Sequence, residues 1–199
     1  MRILLLGSGA REHAILTALL AEDADHDITV APGNAGIAAQ ANTLGIDPTN
    51  AKLVAEFAED NQIELVIIGP EAPLVAGVAD AVRRRRIPVF GPDKAAAQIE
   101  GSKAFAKRIM QVAGVPTGRA QRVSTADEAI LALDTMGAPY VVKADGLAAG
   151  KGVLVTGDRV AAIAHAEHHL QIGPVLVEEF LDGQEVSLFL LADGENVLP

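Results

Sequence analysis

Hydrophobic positions along the 199-residue chain follow two alternating rhythms. Short, nearly unbroken aliphatic runs occur at Arg2–Leu6, Asp27–Ala31, Glu64–Ile68 and Pro88–Phe90. Each predicts a buried parallel strand, because a strand covered on both faces has no side left for polar residues. Helical spacing fills the gaps, from Ala14 to about Glu22, over Asn50–Asn61 and over Val75–Arg86. Strand and helix therefore alternate, which predicts an α/β fold with a parallel sheet in the N-terminal half.

Beyond Gly91 the rhythm changes. A short helix is predicted over Lys94–Ile99, then a longer one from Lys103 to about Ala113, with Ser102 as its N-cap. Ser124 reads as the cap of a helix reaching Met136, with Asp127 in the capping-box position. Strands follow at Pro139–Ala144 and Val153–Thr156, a helix at Asp158–Leu170, and strands at Pro174–Glu179 and Val186–Leu191.

Composition narrows the classes. Half the residues are hydrophobic and only 3% aromatic, so the core is aliphatic. With 16 Lys+Arg against 26 Asp+Glu the net charge is -10, a surface that repels nucleic acid and anionic membranes. A local basic pocket can still hold a small anion. Cysteine is absent, so there is neither a disulfide framework nor thiol chemistry, in keeping with the cytoplasm. No signal-peptide pattern opens the chain, and no apolar run approaches the ~20 residues that span a bilayer. The run Arg83–Arg86 ends a helix, where cations complement the dipole, and reads as a solvated face. His165, His168 and His169 share one helix face without a fourth ligand nearby, and read as surface residues rather than a zinc site.

The candidate chemistry centres on Val141–Val153. An apolar strand carries Lys143, breaks into a run with Gly146, Gly150, Lys151 and Gly152, and returns to strand. Glycines let backbone N–H groups approach an anion, and the lysines place positive charge beside it. The run is not a Walker A loop. Gly146 to Gly150 is one residue short, Gly152 stands where a magnesium-binding hydroxyl is needed, and a strand follows rather than a helix. A solvated hairpin is the plain alternative, but a charge inside a Val-Val strand is costly unless something pairs with it.

The first strand runs into Gly7-Ser8-Gly9-Ala10-Arg11-Glu12-His13, a strand–turn–helix junction that favours an anion at the helix N-terminus. Glu12 replaces the third glycine of a dinucleotide fingerprint, and the second strand ends in Ala31-Pro32-Gly33 without an acidic residue to hold a ribose. A single-phosphate site and a plain tight turn both remain open here, whereas an NAD site is disfavoured. Further Gly/Pro loops close the later strands, at Pro32–Gly36, Gly69–Leu74 and Gly91-Pro92. Loops at the carboxyl ends of parallel strands form the ligand-binding rim of open α/β sheets.

Taken with Ser102-Lys103 and Glu178-Glu179, these motifs resemble the phosphoribosylamine–glycine ligases (glycinamide ribonucleotide synthetases), purine-biosynthesis enzymes of the ATP-grasp superfamily. The resemblance runs collinearly through the whole chain. It implies a Rossmann-like (pre-ATP-grasp) parallel-sheet domain over 1–101, a connecting helix and linker over 102–122, an ATP-grasp subdomain over 123–191, and the start of a further part over 192–199. It implies ATP as cosubstrate, with Mg2+ or Mn2+ held by residues of a second half that this chain does not include, and the small-molecule substrates glycine and 5-phosphoribosylamine. Lys103 and Lys143 would hold the ATP phosphates under the Gly146–Gly152 loop. Glu178, Glu179, Phe180 and Leu181 would line the adenine site, and Glu185 would hold the ribose. Gly9, Arg11, Glu12, His13, Asn34, Gly36, Pro70 and Glu71 would face phosphoribosylamine. The family chain is about twice as long, so this piece is expected to bind phosphates without turning over. Another ATP-grasp ligase or carboxylase, a non-catalytic ATP-binding module and an NAD-dependent oxidoreductase are the competing readings.

Overall fold

The computed structural model describes residues 1–147 and 151–198. The chain divides into two compact units, one formed by Met1–Thr117 with Asp145–Lys151 and the other by Gly118–Ala144 with Gly152–Pro199.

The first unit contains β1 (Arg2–Gly7), α1 (Ala10–Leu20), β2 (Asp27–Pro32), α2 (Ala35–Ala38), β3 (Asn42–Thr43), α3 (Ala51–Asp60), β4 (Leu65–Ile68), α4 (Glu71–Ala76), α5 (Val78–Arg84), β5 (Val89–Phe90), α6 (Gln98–Gly101) and α7 (Lys103–Ala113). Its five strands lie in the order β3-β2-β1-β4-β5, and every pairing is parallel. Strand β1 is the axis. Leu4 and Leu6 pack into a cluster with Val54, Ala58, Val78 and Val82 from α3 and α5. Ile3 and Leu5 pack into the opposite cluster with Leu16 of α1 and Ile37 of α2. Both faces are covered, which explains the unbroken aliphatic runs. The order reverses across β1, so the loops after β1 and β4 diverge at the carboxyl edge.

Three helices differ from their predicted bounds. Helix α1 begins at Ala10 and ends at Leu20 rather than running from Ala14 to about Glu22, because the turn after β1 closes by Gly9, its N-cap. The helix expected over Val75–Arg86 is split at Gly77, whose φ of +90° ends α4 and starts α5. A left-handed glycine stops the ladder that periodicity alone would continue. The short helix expected over Lys94–Ile99 forms instead at Gln98–Gly101, after a turn in which Asp93 Oδ1 accepts from Ala96 N at 2.8 Å. The arginine run is partly absorbed by the fold: Arg83 donates to the carbonyls of Val89 and Gly91, and Arg85 pairs with Glu59.

The second unit contains β6 (Ala120–Val123), α8 (Ala126–Met136), β7 (Tyr140–Ala144), β8 (Val153–Thr156), α9 (Arg159–Leu170), β9 (Val175–Glu178), β10 (Leu191–Ala192) and β11 (Val197–Leu198). Four strands form an antiparallel sheet in the order β6-β9-β7-β8. Val123, Val142, Val175 and Val177 face α8 and α9, where Ala132, Leu133, Ala162 and Ala166 complete the core. The small alanines let the helices lie close to the sheet. The cap of α8 is Thr125 rather than Ser124. Thr125 Oγ1 accepts from Glu128 N at 3.2 Å, and the Glu128 carboxylate accepts from Ser124 N at 2.7 Å. Glutamate reaches back where the shorter Asp127 would not, which moves the cap by one residue. The strand expected over Val186–Leu191 is irregular except at Leu191, which with Ala192 pairs antiparallel to Val197–Leu198. Apolar alternation makes a strand only where a neighbouring ladder accepts it.

On α9 the rings of His165 and His169 meet edge-to-face at 4.5 Å, and those of His168 and His169 at 5.0 Å. Burial first, then repulsion from His165 and His168, pushes the His169 imidazole below its ordinary pKa.

Leu4 is fully buried at the centre of the parallel sheet. Leu4→Ala is expected to cost on the order of 2–5 kcal/mol of stability, read from denaturant unfolding. Because folding depresses the His169 pKa, the stability it carries is complete above the unfolded value of about 6.5 and is lost as pH falls through the folded value. Proton NMR should show the His169 ring titrating below about 6.5, and His169→Gln should flatten the loss of stability on acidification.

Candidate active site

In the first unit, the turn after β1 is shaped around one buried carboxylate. Glu12 is only 3% exposed, and its Oε2 accepts from Gly9 N at 2.6 Å. A Cβ on Gly7 would come within 2.5 Å of Glu12 Cγ and Cδ, and one on Gly69 within 2.7 Å of the same two atoms. Gly7 also has φ of +129°. Both strand ends are therefore glycine because the Glu12 side chain occupies the space beside them. Glutamate at this position fills the turn that a third glycine would leave open.

Around that turn lies a cleft of about 440 Å³, lined by Gly7, Ser8, Gly9, Ala10, Arg11, Glu12, Pro32, Pro48, Pro70 and Glu71. It sits at the carboxyl ends of β1, β2 and β4. Arg11 bridges two of these loops, donating to the carbonyl of Gly69 at 2.6 Å and to Glu71 Oε1 at 3.2 Å. Five residues assigned to the substrate by resemblance, Gly9, Arg11, Glu12, Pro70 and Glu71, thus line one cleft. The other three lie just outside its wall. Asn34 caps α2, its Oδ1 accepting from Ile37 N at 3.0 Å, and donates from Nδ2 to the carbonyl of Ser8 at 2.9 Å. His13 Nε2 is 2.6 Å from Gln40 Nε2, and Gly36 makes room for the His13 ring, since a Cβ there would lie 2.7 Å from Cε1. Pro48, in a loop with no binding signature, joins the cleft only through the fold.

Lys103 opens α7. Ser102 caps the helix as expected, its Oγ accepting from Phe105 N at 3.1 Å. Lys103 Nζ donates to the carbonyl of Gly146 at 2.9 Å. Asp145, unassigned from the sequence, accepts from Ser102 Oγ at 3.2 Å. Lys151 is exposed. Gly150, also assigned to the phosphate loop, lies outside the described residues.

In the second unit, Lys143 and Glu178 occupy the sheet face opposite the helices. The register pairs Val141 with Glu178 and Lys143 with Leu176, so the two charges are diagonal neighbours. Lys143 Nζ lies 2.8 Å from Glu178 Oε2, and Glu178 is 6% exposed. The chain itself supplies the partner that a lysine in an apolar strand demands. Gly152 is buried at the start of β8, its carbonyl accepting from Ala144 N at 2.7 Å. Glu179 is engaged by Arg119, whose backbone N donates at 2.7 Å and Nε at 2.6 Å. Phe180 and Leu181 follow on the exposed exit of β9, with Leu181 against Gly118. Glu185 lies exposed in the irregular segment beyond. Arg119 gave no sequence signal, because its partner is 60 residues away.

A parallel α/β unit with a glycine-lined cleft, followed by a helix-backed antiparallel sheet carrying a lysine–carboxylate pair, is the architecture of the ATP-grasp proteins. Residues 1–100 match the family model "Phosphoribosylglycinamide synthetase, N domain", and residues 101–199 match "Phosphoribosylglycinamide synthetase, ATP-grasp (A) domain". The chain belongs to the phosphoribosylglycinamide synthetase family. Among curated relatives, the phosphoribosylamine–glycine ligase of Leifsonia xyli is 71% identical over the whole of this chain and 48% of its own length. That of Streptomyces coelicolor is 55% identical, with 47% of its length covered. The crystal structure of phosphoribosylamine–glycine ligase from Thermotoga maritima superposes with a TM-score of 0.81 at 32% identity, covering all of this chain and 48% of that one. The chain spans about half the length of the relatives it matches. Resemblance and fold class, both drawn from the motifs, hold.

Gly7→Ala tests the packing that shapes the cleft. A side chain at φ +129° that also meets Glu12 should cost at least about 1–3 kcal/mol from the backbone term alone. Denaturant unfolding reads the loss.

Proposed function

We propose that this chain is the phosphate- and nucleotide-binding part of an ATP-dependent ligase that joins glycine to 5-phosphoribosylamine, giving glycinamide ribonucleotide, ADP and phosphate in purine biosynthesis. The observation that carries this reading is the diagonal pair Lys143–Glu178 on the helix-free face of the antiparallel sheet, with a glycine-rich segment leaving the end of β7. A carboxylate acylates an amine only after its oxygen becomes a leaving group. ATP supplies that by phosphorylating glycine, and the amine of phosphoribosylamine then displaces phosphate. Phosphoryl transfer needs positioning and charge neutralisation more than covalent help.

The residues fit those tasks. Lys103 and Lys143 offer ammonium groups for phosphate oxygens. Gly146, Gly150, Lys151 and Gly152 belong to the loop assigned to cover them. By the same family resemblance, Glu178, Glu179, Phe180 and Leu181 would line the adenine site, and Glu185 would hold the ribose. In the first unit, the turn after β1, with Ser8 and the N-terminus of α1, would face the phosphate of phosphoribosylamine, while the Gly9 amide is held by Glu12. Arg11 and Glu71 frame the same cleft. The reaction calls for a divalent cation, Mg2+ or Mn2+. Among the described residues no group of three His, Cys, Asp or Glu could hold one. Among the described residues no helix is long and apolar enough to cross a membrane. The acidic, cysteine-free composition and the family favour a cytoplasmic enzyme acting on small molecules.

A coupled ADP-release assay tests the reading. The chain extended to the family's full length should release ADP only when glycine and 5-phosphoribosylamine are both present. Lys143→Met in that protein should lower kcat by about 10²-fold or more. Substrate-independent ATP hydrolysis, or release with another acid–amine pair, would overturn it.

A further inference from the structure

Asp145 gathers more hydrogen bonds than any role so far gives it. Its carboxylate accepts from Ser102 Oγ at 3.2 Å on both oxygens, and its Oδ1 accepts from Ala104 N at 3.3 Å and from Gly146 N at 3.1 Å. Ser102 Oγ meanwhile accepts from Phe105 N. The first amides of α7 are thus capped twice, once by the local serine and once by an aspartate 41 residues on from Ala104. Gly146, next in the chain, adopts φ of +99°, and its carbonyl receives the Lys103 ammonium. Three consecutive residues of the helix start, Ser102, Lys103 and Ala104, are tied to two consecutive residues of the glycine-rich segment.

We propose that Asp145 is a positioning residue: its carboxylate seats the start of the glycine-rich segment on the N-terminus of α7 and so sets the Lys103 ammonium for an anionic polyphosphate ligand. This rests on the nucleotide reading above. Asp145 acts through Lys103 and Gly146 and does not touch the nucleotide. The sign of its effect separates it from the alternative. A carboxylate near a polyphosphate repels it, so by direct charge its removal should tighten binding. As an anchor, its removal should weaken binding, because the oriented lysine and loop become an ordering cost paid on association.

The test combines two measurements on wild type, Asp145→Asn and Ser102→Ala, each in the chain extended to full family length. Calorimetric titration with ATP is expected to show weaker binding by about tenfold in Asp145→Asn, and a smaller change of the same sign in Ser102→Ala. In the absence of nucleotide, amide hydrogen exchange at Ala104 and Gly146 is expected to accelerate in Asp145→Asn, and KM for ATP to rise more than kcat falls. Tighter or unchanged ATP binding in Asp145→Asn, or unchanged exchange at Ala104, overturns the proposal. If wild type binds no ATP, the nucleotide reading itself fails, and the exchange measurement alone then decides whether Asp145 anchors the segment.

Discussion

Strand β1 is buried on both faces, and the shape of the cleft at its carboxyl end follows from that. With Leu4 and Leu6 committed to one helix layer and Ile3 and Leu5 to the other, the strand cannot slide by one residue without exchanging its two cores. Its end is therefore fixed, and the chain must turn where Gly7 stands. The turn has no room for a Cβ, because Glu12 folds back into it to satisfy the Gly9 amide. Gly69, just past the end of the neighbouring strand β4, yields to the same side chain. One buried carboxylate thus determines the glycines at the ends of two neighbouring strands and lines the cleft beside them.

The second unit solves a different problem with the same economy. An antiparallel sheet of four strands buries one face against alanine-rich helices, and its other face carries the Lys143–Glu178 pair. A lysine in such a strand loses hydration, and a glutamate two residues off-register on the adjacent strand restores its electrostatic balance. The pair is thereby held on two adjacent, hydrogen-bonded strands. Arg119 then fastens Glu179 through both backbone and side chain, which fixes the exit from the strand.

Much of this was legible beforehand. Parallel strands were visible as aliphatic runs because double-sided burial leaves no polar position. The motifs around Gly9, Pro70, Lys143 and Lys103 were visible because glycine and proline, a charge inside an apolar strand and a cation at a helix N-terminus are each costly in regular structure, and so mark places where something else is at stake. Local signals failed where a neighbour decided. Gly77 splits a helix that periodicity had continued, the Val186–Leu191 pattern finds a ladder only at its last residue, and the α8 cap moves to Thr125 because a glutamate reaches farther than an aspartate.

From the sequence alone came the fold class, the family resemblance and the identity of most candidate residues, because each is written in short-range pattern and residue chemistry. The tertiary structure alone decided which of those residues meet. It brought Glu178 to Lys143, Arg119 to Glu179, Pro48 to the cleft and Asp145 to the start of α7, contacts spanning tens of residues. No local pattern encodes such partners, since strand register and helix placement are settled by packing the aliphatic core, and the polar contacts fall where that packing leaves them.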